Sequence, residues 1–110
     1  MPVPLKNMAA IESFVGLEFG IFKLKQGTSE EKMLDASIKM EQEFLSKEAG
    51  FLGHGILKGN DGTYVDLAFA TSQKKAEEIC GKWMENEFAL QYLEFIDPES
   101  VNLSFWERIK

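Results

Sequence analysis

Three side chains give this 110-residue sequence its opening for chemistry: His54, Asp66 and Glu18. Imidazole is the side chain that changes charge near neutral pH, and a carboxylate beside it can orient the ring. Two carboxylates in a partly dry space push one of their proton affinities up. Such a cluster could take a proton from a phenol or an enol, leaving an electron-rich carbanion that meets dioxygen without a metal. In this scheme His54 is the base and Asp66 its orienting partner. Phe22, Tyr64 and Trp106 wall a planar substrate, and Glu18 and Asn102, with Ser104 nearby, supply further polar contacts. The same residues also have a plainer use, as an interface imidazole, as ion pairs to Lys58 or Arg108, and as aromatic packing. Cys80 recurs with Ala76, Ile79 and Trp83 at helical spacing, with no base or cation placed beside it. It reads as a small buried hydrophobe.

The elements that must position these residues follow from the pattern. Phe51 to Ala70 is a hairpin closed on Asn60, Asp61 and Gly62, residue types that accept left-handed backbone. Counting back from that loop pairs Gly59 with Thr63, Lys58 with Tyr64, Leu57 with Val65, Ile56 with Asp66 and His54 with Ala68. Alternation puts Phe51, Gly53, Gly55, Leu57, Val65, Leu67 and Phe69 on one face. Leu52, His54, Ile56, Lys58, Tyr64, Asp66, Ala68 and Ala70 share the other.

Phe14 to Lys25 is a first strand, with Val15, Leu17, Phe19 and Ile21 on one side. Gly16, Glu18, Gly20 and Phe22 lie on the other, where the glycines suggest close approach of something bulky or a bulge. Thr28 caps a helix from about Ser29 to Glu48, with Glu31 closing a capping box. Met33, Ser37, Met40 and Phe44 form its buried stripe, widened by Leu34, Ile38 and Leu45, and Gly50 stops it. Ser72 caps a second helix. Asn86 interrupts it, and a short helical or turn-rich run follows from Phe88 to Phe95. Ser100 to Ile109 is the last strand, with Val101, Leu103 and Phe105 on one side and Asn102, Ser104, Trp106 and Arg108 on the other.

The order β-α-β-β-α-β with right-handed crossovers gives an α+β fold: a four-stranded antiparallel sheet, order 4-1-3-2, with two helices on one face. The apolar strand faces are expected under the helices. The remaining face, with Phe22, Leu24, Leu52, Ile56, Tyr64, Ala68, Ala70 and Trp106, is too apolar for water and is expected to be covered by a second copy. The net charge of -6 and the scattered basic residues argue against nucleic acid and against an anionic membrane surface. The lone cysteine and the absence of metal-ligand spacing fit a reducing, cytoplasmic setting with no metal. Residues 1–13 read as an N-terminal arm with no signal-peptide core, and 14–110 as one domain.

The phrases FGIFKLKQGTSEEKML, EQEFLSKEAGFLGHGILKGNDGTYVDLAFATS and IDPESVNLSFWE, in this element order, resemble the dimeric α+β barrel superfamily. Within it they are similar to the antibiotic-biosynthesis-monooxygenase-like proteins. The resemblance covers residues 14–110 and implies a ferredoxin-like domain whose open sheet face meets a partner's to close a barrel. It also implies a ligand pocket between the sheet and its helices or within the barrel. The function it implies is a cofactor-independent monooxygenase acting on a planar aromatic or enolic metabolite. A non-catalytic dimeric module that binds a small hydrophobic ligand is the alternative, and a haem-handling protein the third. Haem-degrading members carry a helical histidine ligand with an Asn and a Trp. Here the histidine lies on a strand, and Trp83 alone could match.

Overall fold

The computed structural model describes residues 12–110. All but the last two residues of the expected N-terminal arm lie outside the described residues. Four strands, β1 (Gly16–Lys23), β2 (Phe51–Lys58), β3 (Thr63–Ala70) and β4 (Asn102–Glu107), form one antiparallel sheet in the order β2-β3-β1-β4. This is the order expected from the sequence. Three α-helices, α1 (Glu30–Glu43), α2 (Gln73–Cys80) and α3 (Glu87–Leu93), lie on one side of it.

The local signals explain the element ends. The hairpin register is the one counted from the loop: Lys58 faces Tyr64, Ile56 faces Asp66 and His54 faces Ala68. Gly62 turns it with φ at +82°. Ser29, one residue after the expected cap, accepts from Lys32 N and starts α1. That helix ends at Glu43 in a 3-10 turn over Leu45–Lys47, and Gly50 follows in left-handed conformation, φ +88°. Ser72 accepts from Lys75 N at the start of α2. Asn86 does more than interrupt: its side chain accepts from Phe88 N and Ala89 N and caps α3.

Met33, Ser37, Met40, Phe44 and Leu45 are buried as their spacing requires, whereas Leu34 and Ile38 are exposed. The buried stripe of α1 is therefore narrower than expected, because α3 and the 3-10 turn, rather than a wider face of α1, complete the core.

The main correction concerns which face of the sheet the helices cover. Gly16, Glu18, Gly20 and Phe22 on β1 and Tyr64, Asp66, Ala68 and Ala70 on β3 are buried. Their neighbours Val15, Leu17, Phe19, Ile21, Val65, Leu67 and Phe69 are partly or largely exposed. The face expected to be open is the covered one. The cause is steric and chemical together. Helices approach most closely over small residues, and Gly16, Gly20, Ala68 and Ala70 are all on this face. Its charged groups find partners within the helix layer.

β2 departs from the expected pattern at its first residue, and β4 keeps to it. A bulge between Phe51 and Gly53 brings Phe51 opposite Ala70, on the covered face, rather than with Gly53 and Leu57. On β4, Leu103 faces Gly20 and Phe105 faces Glu18, so these two lie over the covered face. Asn102 faces Ile21 and Trp106 faces Leu17. These two expected binding residues therefore lie on the open face, as expected, but without Glu18, His54 and Asp66, and Trp106 is 56% exposed there.

Candidate functional site

Across the covered face the strands line up in rows. One row is Ile56, Asp66, Gly20 and Leu103, and the next is His54, Ala68, Glu18 and Phe105. Each acid thus stands beside a small residue on the neighbouring strand, leaving room above it. Part of that room, between sheet and helices, is a cavity of about 250 Å³. Glu18, Gly20, Phe22 and Asp66 line its sheet side, and Cys80, Trp83 and Tyr92 its helix side. Met84, Val101 and Leu103, all well exposed, border its mouth. Ligand pockets of about 300–1,000 Å³ are usual for drug-sized molecules, so this one suits a small ligand.

Asp66 is the hub of the polar contacts. Both its carboxylate oxygens lie 3.0 Å from His54 Nε2, and the Tyr92 hydroxyl donates to Oδ2 at 2.6 Å. The other imidazole nitrogen, Nδ1, is 3.5 Å from Glu41 Oε1 on α1. His54 is thus clamped between two carboxylates. Burial alone would favour the neutral ring. The charge and hydrogen bond of Asp66, then those of Glu41, outweigh it and push the imidazole pKa up to about 10. With its pKa raised so far, the ring holds its proton at neutral pH and has no lone pair to accept another, and it does not line the cavity. Both points weigh against the role of base expected for His54 and suit a buried cation that neutralises Asp66.

Glu18 takes the opposite position. Burial raises its pKa, a hydrogen bond with the Cys80 thiol opposes the rise, Asp66 adds to it and the His54 charge subtracts, leaving about 7. It is 4% exposed and lines the cavity. A carboxyl group balanced near neutrality can both accept and return a proton. The Cys80 thiol and the Tyr92 phenol are pushed upward, chiefly by burial and then by the nearby acids, so neither ionises at neutral pH.

Aromatic rings frame this group. Trp83 and Tyr92 meet edge to face at 5.9 Å, and Phe22 meets Tyr92 edge to face at 6.3 Å. Trp83 Nε1 is buried and has no hydrogen-bond partner among the described residues. The atom itself has no accessible surface, so it is the indole ring that Trp83 presents to the cavity.

Of the residues singled out in the sequence, Glu18, Phe22 and Asp66 line the cavity, and His54 stands behind Asp66. Tyr64 is on the same face but stacks on Phe22 at 5.5 Å and donates its hydroxyl to Glu30 at 2.7 Å, outside the cavity lining. Asn102 and Trp106 are across the sheet. Trp83 and Tyr92 were not singled out as site residues. Their only sequence signal is helical spacing, Trp83 with Ala76 and Ile79, and Tyr92 with Ala89, which equally describes core.

No protein-family model matches the sequence, nor does any curated protein. Solved structures match the fold. SnoaB, a cofactor-independent oxygenase from Streptomyces nogalater, is 12% identical with TM-score 0.68, covering 88% of this chain and 95% of its own. A candidate antibiotic biosynthesis monooxygenase from Bordetella bronchiseptica is 9% identical with TM-score 0.71, covering 88% and 99%. Another from Nitrosomonas europaea is 14% identical with TM-score 0.65, covering 88% and 92%. The chain therefore has the ferredoxin-like α+β fold of antibiotic-biosynthesis-monooxygenase-like structures. No helix among the described residues is long and apolar enough to cross a membrane.

Proposed function

We propose that this chain is a small cofactor-independent monooxygenase acting on a planar aromatic or enolic metabolite, with Glu18 as the proton acceptor. The observation that carries the reading is the cavity, with a carboxyl whose pKa is raised to about 7 on one wall and aromatic rings around it. The Glu18 carboxylate takes a proton from a methylene activated by an adjacent ring and carbonyl. The resulting carbanion is delocalised as an enolate lying against the Trp83 and Tyr92 rings. Dioxygen is the oxidant. It adds to the carbon, the peroxide anion takes the proton back from Glu18, and loss of water from the hydroperoxide leaves a new carbonyl. One dioxygen is consumed, with one oxygen atom in the product and one in water. Asp66, neutralised by His54, holds Tyr92 in place against the ring wall.

The homodimer belongs to the same reading. Leu17, Phe19, Ile21, Leu57, Val65, Leu67 and Phe69 form an apolar sheet face that no helix covers and on which only the Phe14 ring, against Phe69, is seen to pack; a second copy of that face is the proposed cover. The cytoplasm is the proposed setting.

Oxygen uptake with 2-tetralone, an enolisable two-ring ketone, is the test. The expected rate rises with pH through about 7, survives a metal chelator, and falls at least a hundredfold in Glu18→Gln. Uptake no faster than in Glu18→Gln, with the ketone still bound, would instead favour the non-catalytic ligand-binding module.

A further inference from the structure

Gly16 and Gly20 both lie on the covered face of β1, and they are glycine for different reasons. A Cβ at Gly16 would fall 2.0 Å from the Ser72 carbonyl oxygen and 2.5 Å from Gln73 N, so the backbone entering α2 already occupies that space. A Cβ at Gly20 would meet Leu103 Cδ2 at 2.9 Å and nothing else nearer than 3.9 Å. Leu103 is 48% exposed and can swing away.

Backbone geometry does not ask for glycine at position 20 either. Positive φ values among glycines are confined, in the described residues, to Gly27, Gly50 and Gly62. The β1–β3 ladder runs without a register shift from Gly16 opposite Ala70 to Lys23 opposite Thr63, so there is no bulge at Gly20. A glycine in mid-strand weakens the strand and often marks a place where a ligand approaches the backbone. Gly20 sits between Glu18 and Phe22, opposite Asp66, in the cavity wall.

We propose that Gly20 is a specificity-determining residue of the cavity: having no side chain, it leaves a low floor shared with the movable Leu103 side chain, which admits a fused two-ring ligand rather than a single ring. This rests on the reading that the cavity takes planar ligands, and it names their size class. A side chain at position 20 would stand up between Glu18 and Phe22 and leave space for one ring only.

The test is binding, measured by calorimetry with 1-naphthol and phenol, on the wild type, Gly20→Ala and Gly20→Val. The wild type is expected to prefer 1-naphthol. Gly20→Val should weaken 1-naphthol at least tenfold and phenol less than threefold, with Gly20→Ala between. If the valine variant does not fold, judged by its thermal melt, the alanine variant decides with a threefold or greater selective loss. Unchanged 1-naphthol affinity, equal losses for both probes, or no binding of either by the wild type would overturn the assignment. The expected binding pattern without oxygen uptake would remove the oxygenase reading and leave the role of Gly20 standing.

Discussion

The helix-covered face of the sheet carries Glu18, His54 and Asp66 among small residues, while the uncovered face carries Leu17, Phe19, Val65, Leu67 and Phe69. A sheet with one wet side usually has the reverse arrangement, polar out and apolar in. Here the covered face can hold charge because every charged group has company. His54 neutralises Asp66, Tyr92 donates to it, and Glu18, its pKa raised to about 7, shares a hydrogen bond with the Cys80 thiol. The uncovered face is apolar because, in the proposed dimer, it is an interface. Polarity along a strand therefore reports what each face touches, not whether it is inside.

The comparison can be broken most forcefully at its hub. Asp66→Ala leaves the His54 cation and the Tyr92 hydroxyl without their partner. It should cost about 3–5 kcal/mol in urea unfolding, as other broken buried pairs do. A loss under about 1 kcal/mol would mean that the covered face does not depend on charge pairing.

The opposite face is tested by Leu67→Lys. Burying an unpaired ammonium costs several kcal/mol, so light scattering should find a monomer with an intact circular dichroism spectrum. A persistent dimer would place the interface elsewhere.

Glu18→Gln sharpens the contrast through pH. The folded-state pKa of Glu18 is raised to about 7 from its ordinary value of 4.5, so the folded protein holds a proton that the unfolded chain releases. The stabilisation is complete below pH 4.5 and is lost as pH rises through 7. At pH 9 the glutamine variant should therefore be the more stable by up to about 3 kcal/mol, at about 1.4 kcal/mol per pKa unit. Near pH 4 the two should be equal. A constant difference across this range would remove Glu18 from the near-neutral group.

Trp106→Ala gives the smallest effect. As an open-face residue it should leave 1-naphthol affinity within twofold of the wild type. A larger loss would return Trp106 to the ligand site.

Much of this architecture was legible in the sequence, for identifiable reasons. The Asn60-Asp61-Gly62 loop fixes the hairpin register to the residue, and with it the placement of His54 and Asp66 on one face and near each other. The strand order follows from element order and handedness. What was not legible is which face the helices choose, since hydrophobicity pointed one way and side-chain size the other. Gly16, with the Ser72 backbone against it, shows size deciding. The two sides of β4 were legible, Leu103 and Phe105 toward the helices and Asn102 and Trp106 on the open face. The reversal of the other strands is what parts Asn102 and Trp106 from Glu18, His54 and Asp66. Trp83 and Tyr92 come from the helix layer, where their spacing is that of ordinary core.

The role of proton acceptor divides between His54 and Glu18 according to which of them is already charged. His54 is the only histidine in the sequence, so its imidazole nitrogen signals need no assignment, and a pH titration by ¹⁵N NMR reads its state directly. An imidazolium that persists through pH 8 and titrates near 10, dropping markedly in Asp66→Asn, is the expected result. A ring that is neutral at pH 7 and titrates near its ordinary value of about 6.5 would contradict it and return the base to His54.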